Sequence, residues 1–180
     1  MAFIETPIPG LLIFEPNVYY DERGYFFESY NRQVWQEAGV WADFVQTNQA
    51  RSTRGVLRGL HYQVAPMAQA KLVRVVEGEV LDVVVDLREN GPSFGQPFKI
   101  RLSAANKRQL FVPRGFAHGY LVLSEAAEFV YKCDNFYSKS HEGGIRFDDP
   151  TLDIDWEFDL HQVLVSEKDR ALPFFGQHRN

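Results

Sequence analysis

The clearest pattern in the chain is LDVVVDL, where Leu81, Val83, Val85 and Leu87 alternate with Asp82, Val84 and Asp86. This period of two predicts a strand buried on one face. KLVRVV (71–76) lies just upstream and is joined to it by Glu77-Gly78-Glu79, a spacing that predicts a hairpin. FKIRLS turns Phe98, Ile100 and Leu102 one way and Lys99, Arg101 and Ser103 the other, and GYLVLS and EFVYKC continue the series. On EFVYKC, Phe129, Tyr131 and Cys133 share the inward face. Two segments depart from the strand period. NRQVWQEAG offers Asn31 as N-cap and Gly39 as stop signal, and SEKDRAL offers Ser166 as N-cap. There is no internal repeat and no linker. Short strands punctuated by Gly, Pro, Asn and Ser predict one all-β domain over residues 1–180, an antiparallel sandwich or barrel with short peripheral helices.

Composition narrows the function more than the fold. The 180 residues are 45% hydrophobic and 14% aromatic, enough to build one sizeable core. A formal net charge of −5 argues against a nucleic-acid partner, so an anionic ligand has to be drawn by a local basic cluster. The single Cys133 excludes a disulfide framework and a cysteine-based zinc site. The opening MAFIETPIPG lacks a basic and then apolar leader, and no stretch approaches membrane-spanning length. The expectation is a cytoplasmic protein with no membrane partner.

RGVLRGLHYQ (54–63) then stands out, because Arg58 and His61 interrupt a run of strand-forming residues. A metal site is the first reading to weigh. PRGFAHG (113–119) resembles the second metal motif of the cupins, a family of jelly-roll barrels. The first motif needs another His two residues after His61 and then a Glu; the chain has Gln63 and, nearby, Lys71. A protonated lysine has no acceptor and repels a cation, so the cupin shape is supported and the metal is not.

Taken singly, the remaining candidates have plain readings. His61 can be a structural histidine, Tyr131 a core aromatic with one hydrogen bond, and Lys71 a strand-end cation in water. Ser166-Glu167-Lys168-Asp169 has capping-box spacing, in which Asp169 completes a helix start. Spacing alone cannot choose the carboxylate that would orient His61. Taken together, an imidazole, an ammonium and a phenol suit one reaction: removing an acidic C–H beside a ketone, stabilising the enolate and returning a proton to the other face.

DERGYFFESY (21–30), QTN (46–48), RGVLRGLHYQ, QAKLVRVVEGEVLDVVVDLR (69–88), PRGFAHGYLVLSE (113–125), YKCDNFY (131–137) and SEKD (166–169), in this order, resemble the dTDP-4-dehydrorhamnose 3,5-epimerase family along nearly the whole chain. The resemblance implies a cupin-type double-stranded jelly roll that works without metal or other cofactor. It implies His61 as base, Asp169 as its orienting carboxylate, Lys71 at the enolate oxygen and Tyr131 as the acid on the opposite face. It implies that Arg23, Glu28, Gln46, Thr47, Asn48, Arg58, His118, Tyr137, Glu142 and Lys168 hold a dTDP-sugar, with Arg58 on the diphosphate and Tyr137 stacked on thymine. It further implies a homodimer in which the N-terminal arm reaches the neighbouring subunit. The chain departs from the family at Asp134-Asn135, where a Thr-Asp pair is usual, and at Glu157, where a Pro is common.

Two consequences can be checked in the structure. The rings of His61 and Tyr131 must share a cavity. Strict alternation puts Arg58 opposite His61, so both reach one ligand only if the strand bulges or twists, with Gly59 the natural place.

Overall fold

A computed structural model describes residues 1–178; Arg179 and Asn180, the end of the expected 1–180 domain, lie outside the described residues. Two antiparallel sheets face each other. The first has six strands, in the order β1 (Ala2–Glu5), β2 (Leu12–Glu15), β10 (Gln109–Val112), β7 (Lys71–Glu77), β12 (Ala126–Cys133) and β5 (Gln46–Thr53). The second has five, in the order β13 (Glu142–Gly144), β6 (Leu57–Gln63), β11 (Phe116–Val122), β8 (Glu79–Asp86) and β9 (Pro97–Ser103). A small hairpin, β3 (Tyr19–Asp21) with β4 (Gly24–Phe26), stands apart from both. This is the cupin-like jelly roll that the motifs implied.

Three apolar layers hold the sheets. Val73, Val75, Val80, Val84, Leu102, Leu110, Phe116, Tyr120 and Phe129 meet between them. The outer face of the five-stranded sheet buries Leu81, Val83, Val85 and Leu121 beneath Ile145, Phe147, Leu152, Trp156 and Val163 from the C-terminal segment. The outer face of the six-stranded sheet buries Phe14, Leu72 and Phe111 beneath Trp35 and Val40.

The helices form where their caps predicted. α1 (Arg32–Glu37) starts with the Gln33 N–H donating to Asn31 Oδ1 at 3.0 Å and stops at Gly39. α2 (Glu167–Arg170) starts with the Asp169 N–H donating to Ser166 Oγ at 3.1 Å. Two single 3₁₀ turns, Lys139–His141 and Leu160–Gln162, accompany them.

Two strand readings need correction. β8 is covered on both faces rather than one: Leu81, Val83 and Val85 point to the C-terminal layer, and Asp82, Val84 and Asp86 point between the sheets. The expected β7–β8 hairpin is instead a corner between sheets, because β7 pairs with β10 and β12 while β8 pairs with β11 and β9. Gly78 makes the corner at φ +75°, where a Cβ would lie 2.0 Å from the Ala126 carbonyl oxygen. A hairpin and a corner share the same alternation on either side of a glycine, so the pattern could not separate them.

Among the described residues no helix is long and apolar enough to cross a membrane.

Candidate active site

The sandwich opens along the seam between β5 and β6, and two cavities meet there. The larger, of about 640 Å³, is lined by Arg58, His61, Lys71, His118, Tyr131, Lys168 and Asp169 among others. The smaller, of about 280 Å³, is lined by Gln46, Asn48, Gln63, Tyr137 and Glu142, and again by His61, Lys71 and Tyr131. The imidazole, the ammonium and the phenol therefore stand at the junction. His61 and Tyr131 thus line the same space.

The local geometry of His61 follows from a bulge. Along β6 and β11, His61 pairs with His118 while Arg58 pairs with Tyr120, so the register slips by one residue at Gly59. Gly59 has φ +123°, and a Cβ there would lie 2.6 Å from the Gly119 Cα. The slip removes the alternation problem by turning Arg58 and His61 into one cavity.

Asp169 answers the question that spacing left open. Its Oδ1 lies 2.8 Å from His61 Nε2, across 108 residues of chain, and its Oδ2 accepts the Gly59 N–H at 3.0 Å. Both carboxylate oxygens are thus engaged with β6, and the capping spacing and the dyad coexist: the backbone of Asp169 starts α2 while its side chain bonds the histidine. Burial alone would raise this carboxyl, but the bonds from His61 and Gly59 hold it below the usual aspartate range. With Nε2 occupied, Nδ1 is the ring nitrogen left to exchange a proton.

Desolvation pulls the Lys71 ammonium below its ordinary range, against the opposing pull of Cys133, Asp82 and Glu142. Burial likewise raises the Tyr131 phenol, so at neutral pH it carries its proton and can donate it. Tyr131 stands on β12 directly across from Asn48 on β5 and Val73 on β7.

A second histidine–carboxylate pair lies deeper. His118 Nε2 is 2.9 Å from Asp82 Oδ2, with Asp82 fully buried. Sequence reading placed Asp82 on the polar face of a half-buried strand and so missed it; an acid inside a valine run was the available signal. At the mouth, Glu142 joins Lys168 at 2.6 Å and the Tyr137 hydroxyl at 3.1 Å. Burial raises the Glu142 carboxyl, but these partners outweigh it and hold it down.

Three expected contacts are not brought into either cavity of the single chain. Thr47 points away from its neighbours Gln46 and Asn48 and is exposed. Arg23 sits on the β3–β4 hairpin paired with Asp21, and Glu28 accepts a hydrogen bond from Asn31. Gln63, at the position of the second metal-binding His in cupins, donates to the Met67 and Phe136 carbonyls and accepts the Ser138 N–H. Among the described residues no group of three or more His, Cys, Asp or Glu is placed to hold a metal ion. Asp134, one of the departures from the family pattern, ties the Ala70 N–H and Arg114 together and faces neither cavity.

Residues 5–177 match the family described as dTDP-4-dehydrorhamnose 3,5-epimerase. A Shigella flexneri protein of that name is 56% identical over 94% of this chain and 93% of its own length. A crystal structure of the dTDP-4-dehydrorhamnose 3,5-epimerase of Elizabethkingia anophelis superposes with a TM-score of 0.94 at 51% identity, covering 98% of this chain and 97% of that one. A Legionella pneumophila 3,5-epimerase, solved in complex with dTDP-4-keto-L-rhamnose, does so with a TM-score of 0.94 at 47% identity, covering 98% and 93%.

Proposed function

The chain belongs to the dTDP-4-dehydrorhamnose 3,5-epimerase family, and from this premise we propose that His61, Lys71 and Tyr131 invert C5 and C3 of dTDP-4-dehydro-6-deoxy-D-glucose, giving dTDP-4-dehydro-L-rhamnose. The observation that carries the assignment is the His61–Asp169 dyad facing the same space as Lys71 and Tyr131.

The chemistry follows from the groups present. The C–H bond next to the 4-keto group breaks, and its proton goes to His61 Nδ1. Asp169 holds the ring by Nε2 and stabilises the imidazolium that forms. The electron pair becomes an enolate whose charge gathers on the ketone oxygen, where the desolvated Lys71 ammonium acts at its strongest. Tyr131 then gives its proton to the opposite face of the carbon. Solvent re-protonates the phenolate and deprotonates the imidazolium, which readies the site for the second carbon. The ketone acidifies both neighbouring positions, so these steps call on no cofactor.

For binding, Gln46, Asn48 and Tyr137 at the smaller cavity suit a nucleoside, and a thymine stacked on Tyr137 would gain about 1–3 kcal/mol. Arg58 suits the diphosphate, since a planar guanidinium matches phosphate oxygens. His118, Glu142 and Lys168 complete the contacts within one chain, while Thr47 faces away from both cavities. Arg23 and Glu28 act on the neighbouring site of a homodimer, which fits an arm carrying Tyr19, Tyr20, Tyr25 and Phe26 at 57–71% exposure. The enzyme works in the cytoplasm, where nucleotide sugars are made.

Incubation of protein and substrate in heavy water, followed by NMR of the sugar, tests the reading. Deuterium should enter at both C3 and C5, and His61→Ala should slow exchange at both by about 10²–10⁴-fold. Full exchange in the alanine variant would remove His61 from the mechanism.

A further inference from the structure

Most arginines here are neutralised. Arg23, Arg32, Arg51, Arg88, Arg101, Arg108, Arg114 and Arg146 each pair with a carboxylate. Arg58 instead makes a different kind of contact. Its Nε donates to Ser52 Oγ at 3.1 Å, and no carboxylate pairs with it among the described residues. Ser52 is 6% exposed and sits on β5, across the seam from β6. Behind the two lies Tyr120, the register partner of Arg58, its ring flat against Phe129 at 4.1 Å and its buried hydroxyl close to both Ser52 and Arg58.

This arrangement matters because of the shape of a guanidinium. It has five N–H donors in a rigid fork, one on Nε and four on the terminal nitrogens. Holding Nε by an uncharged oxygen fixes the plane of the fork while leaving its charge unspent, with no carboxylate on the terminal nitrogens. A carboxylate in the same place would fix the plane but cancel the charge.

Resting on the diphosphate role given to Arg58 above, we propose that Ser52 is a positioning residue: it grips Arg58 by Nε across the sheet seam and aims the terminal nitrogens at the substrate's diphosphate, with Tyr120 as the wall that keeps the Arg58 stem from folding away. Ser52 acts through Arg58 and takes no part in proton transfer. Its effect therefore falls on ground-state and transition-state binding alike and leaves the chemical step unchanged.

Calorimetric titration with dTDP, together with steady-state kinetics, tests this on Ser52→Ala, Ser52→Thr, Arg58→Ala and the Ser52→Ala/Arg58→Ala pair. Ser52→Ala should weaken dTDP binding and raise KM by about three- to tenfold, the worth of one hydrogen bond, with kcat unchanged. Ser52→Thr keeps the hydroxyl and should keep the affinity. In the Arg58→Ala background the alanine at position 52 should cost nothing further, a result that general loosening of β5 would not give. Unchanged dTDP affinity in Ser52→Ala overturns the proposal, and so do losses that multiply independently in the double variant. A wild-type protein that binds no dTDP would instead bring down the functional reading on which it rests.

Discussion

At the scale of single residues, the site holds charged groups that bear on folding with opposite signs. Lys71 is the plainest case. Its folded pKa lies below the ordinary 10.5, so keeping it charged at neutral pH opposes folding, and stability rises as pH climbs from the folded value towards the unfolded one. Lys71→Met should therefore raise the melting temperature at pH 7 while lowering kcat at least a hundredfold; a variant that melts earlier would show that the ammonium is a net stabiliser. Asp169 has the opposite sign. Its folded pKa is depressed, so its contribution is present above the unfolded aspartate value and is lost as pH falls through the folded one. Asp169→Asn should flatten the acid limb of the stability curve below about pH 4 and cut kcat by about 10²–10⁴-fold, both readable from melts and rates across pH. Residue identity alone could not nominate these groups. His61, Lys71, Asp169 and Tyr131 were legible only as a set matched to a family, since each had an ordinary explanation and the dyad spans 108 residues. Asp82, Ser52 and Tyr120 were not legible, because their significance lies in what they touch across strands.

At the scale of elements, the alternation of side chains located the strands well, and the caps at Asn31 and Ser166 located both helices. What alternation cannot carry is the partner of each strand, hence the β7–β8 corner that reads as a hairpin. Nor does it mark where register slips. The slip at Gly59 was foreseeable only because a glycine lay between two residues that needed the same ligand. That slip sets the site, so Gly59→Ala should be severe: its Cβ meets the Gly119 Cα at 2.6 Å and the His118 oxygen at 2.8 Å, in backbone space that alanine avoids. Expected are a loss of 3 kcal/mol or more, about the upper range for single substitutions, and inactivity even where folded protein remains. Retained activity in folded Gly59→Ala would mean that the bulge does not place His61.

At the scale of the whole molecule, a single chain brings His61, Lys71, Tyr131 and Asp169 together but leaves Arg23 and Glu28 outside its own cavities. If the arm serves a neighbour, the two defects belong to different subunits. Mixing inactive His61→Ala with weakened Arg23→Ala protein, and allowing subunits to exchange, should restore activity, because each mixed dimer contains one site with both an intact core and an intact arm. No recovery, with mixed dimers confirmed by mass spectrometry, would place the arm on its own subunit. The long span of the dyad has a further consequence during synthesis. The strand bearing the imidazole leaves the ribosome 108 residues ahead of the aspartate bonded to it, roughly five to twenty seconds at ordinary translation speeds. Under the role proposed for Asp169, a nascent chain can through that interval assemble much of its barrel and still be a poor catalyst, so competence to turn over sugar arrives late, with the docking of one short C-terminal turn.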